Sequence, residues 1–163
     1  MNKKALIVVL IVVLLIAAVI STGVYLVVKF VNVEKETLTA KEFISIMEDN
    51  DFEVGEVTDQ FEDADIEVEE AYVAVGEDYQ IEFYTFADEE NAEMFFKVNK
   101  AKFDEDSASS RVSLNGKNFT SFSITVDGEY RFVERVDETV IYLDVDEEYK
   151  DEVKELVKEE LGY

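Results

Sequence analysis

The longest uncharged stretch of the chain runs from Ala5 to Val28 and consists mainly of Val, Ile and Leu. A helix of these 24 residues is about 36 Å long, enough to cross a hydrocarbon core of about 30 Å. A cleaved signal peptide has a shorter apolar stretch, of about 7–15 residues, followed by small residues at the cleavage site. Here the small residues 21–23 are followed by more apolar residues. The sequence therefore predicts an uncleaved transmembrane helix over residues 5–28, after a short tail of residues 1–4.

The charges that flank this segment leave its orientation open under the positive-inside rule. Lys3 and Lys4 precede it, whereas Lys29, Lys35 and Lys41 follow it, and acidic residues count little in this rule. Two lysines directly before a long apolar run are nevertheless typical of a signal-anchor. We therefore expect a single-pass protein of the cell membrane, with a cytoplasmic N-terminus and an extracytoplasmic C-terminal domain.

The composition of the remaining chain excludes several functions. Beyond residue 30 there are 12 basic and 39 acidic residues, a charge that repels nucleic acid and anionic lipid headgroups. An apolar content of 48% with 12% aromatic residues indicates a folded core rather than disorder. The chain has no Cys and no His, so disulfides, thiolate sites and the commonest general base are excluded. We expect no enzyme, no catalytic residue, no cofactor and no metal site.

Residues 29–38 are predicted to form a charged stalk, and residues 39–163 an acidic folded domain. Thr39 and Glu42 have the spacing of a capping box, which predicts a helix that ends near Asn50.

Two further helices are predicted from caps and helical spacing. Asp88 is expected to cap a helix that reaches Phe103, and Asp146 a helix that ends at Gly162.

Between the helices the apolar residues alternate with a period of two, which predicts strands. One hairpin is expected to turn at residues 76–78. The second half is predicted to form a four-stranded meander, because Asn115-Gly116 and Asp127-Gly128 suit type I′ turns. The predicted fold class is α+β, an antiparallel β-meander domain with three helices over one face and a wetter opposite face.

An internal repeat is suggested when the chain is aligned with itself at an offset of 58 residues. Residues 52–105 and 110–163 then share 11 identities without a gap, which favours a duplicated βββα unit. The repeat also predicts that residues 61–68, "FEDADIEV", form a strand.

Candidate binding residues are weak by comparison. Four acidic residues occupy positions 1, 3, 5 and 12 of a calcium-loop spacing, but Tyr149 stands where that loop needs glycine, so a solvated surface is favoured. The acidic runs 62–70 and 104–107 are at most weak cation sites, and the glycosylation sequon at residues 118–120 is interpreted as chance. Four tyrosines belong either to the core, which is favoured, or to a recognition surface. The acidic residues are Asp144, Asp146, Glu148 and Glu155, and the tyrosines are Tyr72, Tyr84, Tyr130 and Tyr142.

These observations favour a membrane-anchored, extracytoplasmic, non-catalytic module that binds a protein or a component of the cell envelope through its sheet or its acidic face. Two alternatives stay open: a carboxylate-dependent hydrolase of the cell envelope, and an acidic cation-binding surface protein. The sequence leaves the oligomeric state open.

Overall fold

The computed structural model describes residues 33–62, 64–103 and 108–163. The predicted transmembrane segment 5–28 and the acidic run 104–107 lie outside these residues. Within the described ranges, no helix combines the length and the apolar character needed to cross a membrane. The described fold belongs to a compact unit of residues Glu34–Tyr163.

Seven strands form one antiparallel sheet, which confirms the α+β class. Along the sheet the strands follow the order β1-β2-β3-β7-β6-β5-β4. Two meanders thus meet where β3 pairs with β7, and the predicted four-stranded meander of the second half is confirmed. The strands are β1 (Glu53–Glu56), β2 (Val68–Val75), β3 (Gln80–Phe86), β4 (Ser110–Asn115), β5 (Phe119–Val126), β6 (Glu129–Val136) and β7 (Thr139–Asp146).

Three α-helices accompany the sheet, as predicted. Short 3₁₀ turns lie at Thr58–Phe61 and Glu147–Tyr149, and a π-helical segment, Leu156–Glu160, follows the last helix. The helices are α1 (Ala40–Asp49), α2 (Glu89–Phe103) and α3 (Lys150–Glu155).

Helices cover both faces of the sheet, so the prediction of one covered face and one wet face is wrong. On one face, Phe43 of α1 stacks on Phe83 at 4.9 Å between ring centroids, and Val153 of α3 joins the same buried cluster. On the other face, Phe96 of α2 packs in a second cluster with Tyr84. Apolar residues on both faces of the central strands are what makes this possible, since a strand buried on both sides loses its simple alternation.

Two of the three predicted helix caps are present. Thr39 and Glu42 form the capping box, with the Glu42 N–H donating to Thr39 Oγ1 at 3.3 Å. Asp88 accepts from the Asn91 N–H at 2.9 Å. Asp146 makes no capping hydrogen bond with its side chain, because a 3₁₀ turn comes between it and α3.

One of the two predicted type I′ turns is present. Asp127 and Gly128 both have positive φ, 52° and 87°, as that turn requires. Gly116 does not have positive φ; instead its N–H donates to the Phe119 carbonyl at 2.9 Å, so the turn lies one step later. A Cβ at Gly116 would lie 1.9 Å from the Phe119 ring, so packing rather than backbone conformation demands glycine there.

The predicted strand at residues 61–68 is also wrong. A 3₁₀ turn ends at Phe61, and β2 begins only at Val68. Phe61 instead packs edge-on against Tyr84 at 5.5 Å, and Ile66 packs on the same cluster. The two apolar side chains therefore anchor an irregular acidic segment, which needs no ladder partner.

Candidate functional site

The calcium-loop spacing does not gather its four carboxylates. Asp144 and Asp146 end β7, Glu148 lies in a 3₁₀ turn and Glu155 ends α3. Among the described residues, no group of three or more acidic side chains is placed to hold a metal ion. Asp144 Oδ2 instead lies 3.1 Å from Arg131 Nε.

An open depression at one end of the sheet is the main concave surface of the described fold. It has a volume of about 410 Å³ and lies between the β2–β3 loop and the end of β7. Four of its lining residues are acidic, and they come from two segments that are distant in sequence. We call it the acidic depression; its acidic residues are Glu77, Asp78, Asp144 and Asp146.

Aromatic rings lie beside these carboxylates. Tyr79 lines the depression, and its ring centroid is 5.7 Å from that of Tyr149. The Tyr79 hydroxyl donates to Glu152 Oε1 at 2.9 Å. Burial, followed by the bond to Glu152, raises the pKa of Tyr79, so it stays a neutral donor. Carboxylates next to π faces attract ammonium and guanidinium groups.

Burial also raises the pKa of Asp144, with Arg131 acting in the opposite direction.

A second polar cluster surrounds Glu134, which is 3% exposed. Its side chain points into the core from β6, and Lys35 Nζ donates a hydrogen bond to its carboxylate. The Lys35 ammonium also lies 4.8 Å from the centroid of the Phe119 ring. Burial raises the pKa of Glu134, whereas Lys35 and Ser121 lower it.

The segment that carries Lys35 is tied to the same region through its backbone. The Lys35 N–H donates to Asn118 Oδ1 at 3.0 Å, and Asn118 Nδ2 donates to the Lys35 carbonyl at 3.0 Å. Thr37 Oγ1 donates to Asp137 Oδ2 at 2.5 Å, and Leu38 is buried in the core. Residues of the predicted stalk thus lie against the sheet.

Glu134 has the raised pKa that a carboxylate-dependent hydrolase requires, but its surroundings serve packing. Lys35 and Ser121 occupy its carboxylate, and Glu134 does not line the acidic depression. The geometry therefore gives Glu134 a role in holding the Lys35 segment.

The predicted tyrosines lie mainly in the core. Tyr84 and Tyr130 are each 4% exposed. Tyr72 and Tyr142 are partly buried and pack against the two core clusters. The more accessible tyrosine pair is Tyr79 and Tyr149, which the sequence did not single out.

The other weak candidates resolve into ordinary structure. Asn118 of the sequon lies in the β4–β5 turn, where Lys35 and Asp137 occupy its side chain. In the acidic run 62–70, the described residues form an irregular segment followed by the start of β2.

Neither of the new clusters had a strong signal in the sequence. A hint to Glu134 is its place between Phe132 and Val136 on the inward face of β6, where a charge needs a partner. The acidic depression had none, because acidic residues are frequent throughout the domain.

Comparison with known proteins gives little beyond the fold. No protein family matches the chain, and no curated protein is similar to it. A crystal structure of a GTP binding regulator from Thermotoga maritima is similar, with a TM-score of 0.45 and 19% identity, over 73% of this chain and 84% of that one.

Proposed function

We propose that this chain is a membrane-anchored, extracytoplasmic, non-catalytic module that binds a protein or cell-envelope partner through basic groups of that partner. The acidic depression is the observation that carries this proposal. Both faces of the sheet are covered by helices, so the depression is the concave surface left for a ligand. Residues 5–28 supply the anchor.

Electrostatics defines the class of partner. The depression gathers four carboxylates, and Tyr79 and Tyr149 lie beside them. A lysine, arginine or amine gains from both kinds of group. An anionic partner would be repelled by the same charges, which also steer cationic partners during encounter.

The experiment compares two variants of the full chain that remove the same charge. Glu77→Gln/Asp78→Asn neutralises the rim of the depression. Glu67→Gln/Glu69→Gln neutralises exposed residues near the opposite end of β2, roughly 23 Å away along the strand. Binding of a pentalysine peptide to the full chain in lipid nanodiscs is measured for both, with cross-linking and pull-down from native membranes alongside.

The proposal expects the first variant to lose about fivefold or more in affinity for the peptide, since one ion pair at 4 Å in water contributes about 1 kcal/mol. The second variant is expected to lose less than twofold, and captured partners should disappear with the first variant alone. Equal losses in both variants would reduce the effect to net charge and contradict the proposal.

We retain the internal repeat of residues 52–105 and 110–163 as a proposal about the origin of the sheet. The pairing of β3 with β7 supports it, because Phe83 faces Ile141, the residue 58 positions later. The two strands are thereby related by a two-fold axis at that pair. The helices α2 and α3 lie on opposite faces, so the likeness is limited to the strands.

A further inference from the structure

The edge strand β4 is exposed along its whole length. All six of its residues are exposed, including the apolar Val112 at 47% and Leu114 at 42%. Edge strands in monomeric proteins are usually protected by proline, by lysines, by bulges or by a covering element. The interior of β4 has neither proline nor lysine, and it pairs regularly with β5.

The charge around β4 differs from that of the rest of the domain. Residues 107–126 contain no Asp or Glu, although they include Arg111 and Lys117. The other edge of the sheet, β1, carries Glu53 and Glu56. Two copies of so acidic a domain repel each other over most of their surface, and β4 is an edge where their backbones can approach without opposing carboxylates.

The hydrogen-bond pattern shows which groups of β4 face outward. Gly116 and Phe119 form a bonded pair next to the turn. Bonded pairs recur at every second residue of an antiparallel ladder, so Leu114 and Val112 also bond to β5. The N–H and C=O groups of Arg111, Ser113 and Asn115 therefore point away from the sheet.

These outward groups are spaced symmetrically about Ser113. We propose that β4 pairs with β4 of a second copy of this chain, antiparallel and with the two-fold axis at Ser113. Each Ser113 then faces its counterpart, and Arg111 faces Asn115 of the second copy. The three outward residues of each strand supply about six backbone hydrogen bonds across the interface.

The same register gathers the exposed apolar side chains. Val112 of one copy lies directly opposite Leu114 of the other, and Leu114 opposite Val112. These are non-bonded pairs, in which side chains approach most closely. The two Arg111 residues are offset by four residues along the strands, about 13 Å, which exceeds the screening length of about 8 Å at physiological salt. This interface does not involve the acidic depression.

Disulfide trapping in the full chain tests the register, because the natural sequence contains no cysteine. Ser113→Cys places its Cα about 5.5 Å from that of its counterpart, within disulfide range. Arg111→Cys, on the same exposed strand, places the pair too far apart for a disulfide. Each variant is oxidised with copper phenanthroline in native membrane vesicles, and the rate of dimer formation is measured.

We expect Ser113→Cys to cross-link at least tenfold faster than Arg111→Cys. Equal rates would mean random collisions, or contact through the membrane segment alone, and would overturn the proposal. Mixing Gly55→Cys chains with Ser113→Cys chains tests a head-to-tail assembly of β1 on β4. A mixed dimer that outpaces the Ser113 homodimer would also overturn it.

A proline variant tests the interface by a second route. Ser113→Pro removes a donor that points away from the sheet, so the monomer loses no ladder hydrogen bond. We expect the dimer dissociation constant in detergent, measured by sedimentation, to rise at least tenfold while the thermal midpoint stays within a few degrees. An unchanged dissociation constant would contradict the proposal.

Discussion

Replacing Lys35 with Met is expected to destabilise the domain through Glu134. The Lys35 ammonium is the cation bonded to the Glu134 carboxylate, and Glu134 is 3% exposed. Removing one member of a buried pair costs about 3–5 kcal/mol, because the other charge is left buried alone. Methionine keeps the apolar stem against Phe119, so the change isolates the charge.

We expect a loss near the lower end, about 3 kcal/mol at neutral pH, because the Lys35 side chain is still 20% exposed and water can replace part of the interaction. For a domain of this size that corresponds to a fall of about 10 °C in the thermal midpoint. Near-ultraviolet circular dichroism of the full chain in detergent follows the unfolding, since the tyrosines give the signal.

The penalty should depend on pH in a defined direction. Burial raises the pKa of Glu134 above its ordinary value, and Lys35 lowers it. Without Lys35 the folded state of the variant binds a proton at higher pH than the folded wild type. The variant therefore loses most stability at high pH and recovers as pH falls and Glu134 becomes neutral. We expect the penalty at pH 5 to be less than half of that at pH 8.

Two further variants make the reasoning refutable. Lys117 pairs with Glu34 at 2.7 Å, but both side chains are more than half exposed, so Lys117→Met should cost less than about 1 kcal/mol. Adding Glu134→Gln to Lys35→Met should recover part of the loss, since no buried charge is then left. Equal losses for Lys35→Met and Lys117→Met, or a penalty that does not change with pH, would refute this account of Glu134.

Three further outcomes are expected. Gly116→Ala should cost about 1–3 kcal/mol by overpacking against Phe119, whereas Gly55→Ala, which meets no atom within 4 Å, should change the unfolding free energy far less; equal effects would contradict the packing argument. Thr39→Ala should lose about 1 kcal/mol with its cap, whereas Asp146→Ala should lose little, because that side chain caps nothing; denaturant midpoints decide. Millimolar calcium should shift the thermal midpoint no more than magnesium at the same ionic strength, and a larger shift would reveal a specific calcium site.

Local signals in the sequence predicted local structure well. The capping box at Thr39 involves residues three positions apart, and the Asp127-Gly128 turn needs only two residues with positive φ. Both are decided by the chain's immediate neighbourhood, so propensity and spacing suffice. The antiparallel sheet followed in the same way from period-two alternation and short turns.

Features that depend on distant contacts were predicted poorly. The pairing of β3 with β7 fixes the order of the sheet, and no local pattern specifies it. Phe61 and Ile66 resembled strand residues until their contacts with the α2 side of the core were known. Lys35 and Glu134 are 99 positions apart, so neither residue pointed to the other. The acidic depression likewise depends on two segments meeting in space.

The central claim is that the domain is anchored in the membrane and displayed outside the cytoplasm. The most direct test uses the full chain with Glu69→Cys, an exposed position and a single thiol in a chain that otherwise has no cysteine. The account predicts that a membrane-impermeant maleimide labels this thiol in intact cells, and that the labelled protein stays in the membrane pellet after alkaline carbonate extraction. Labelling that requires cell lysis, or release of the protein from the membrane, would contradict it.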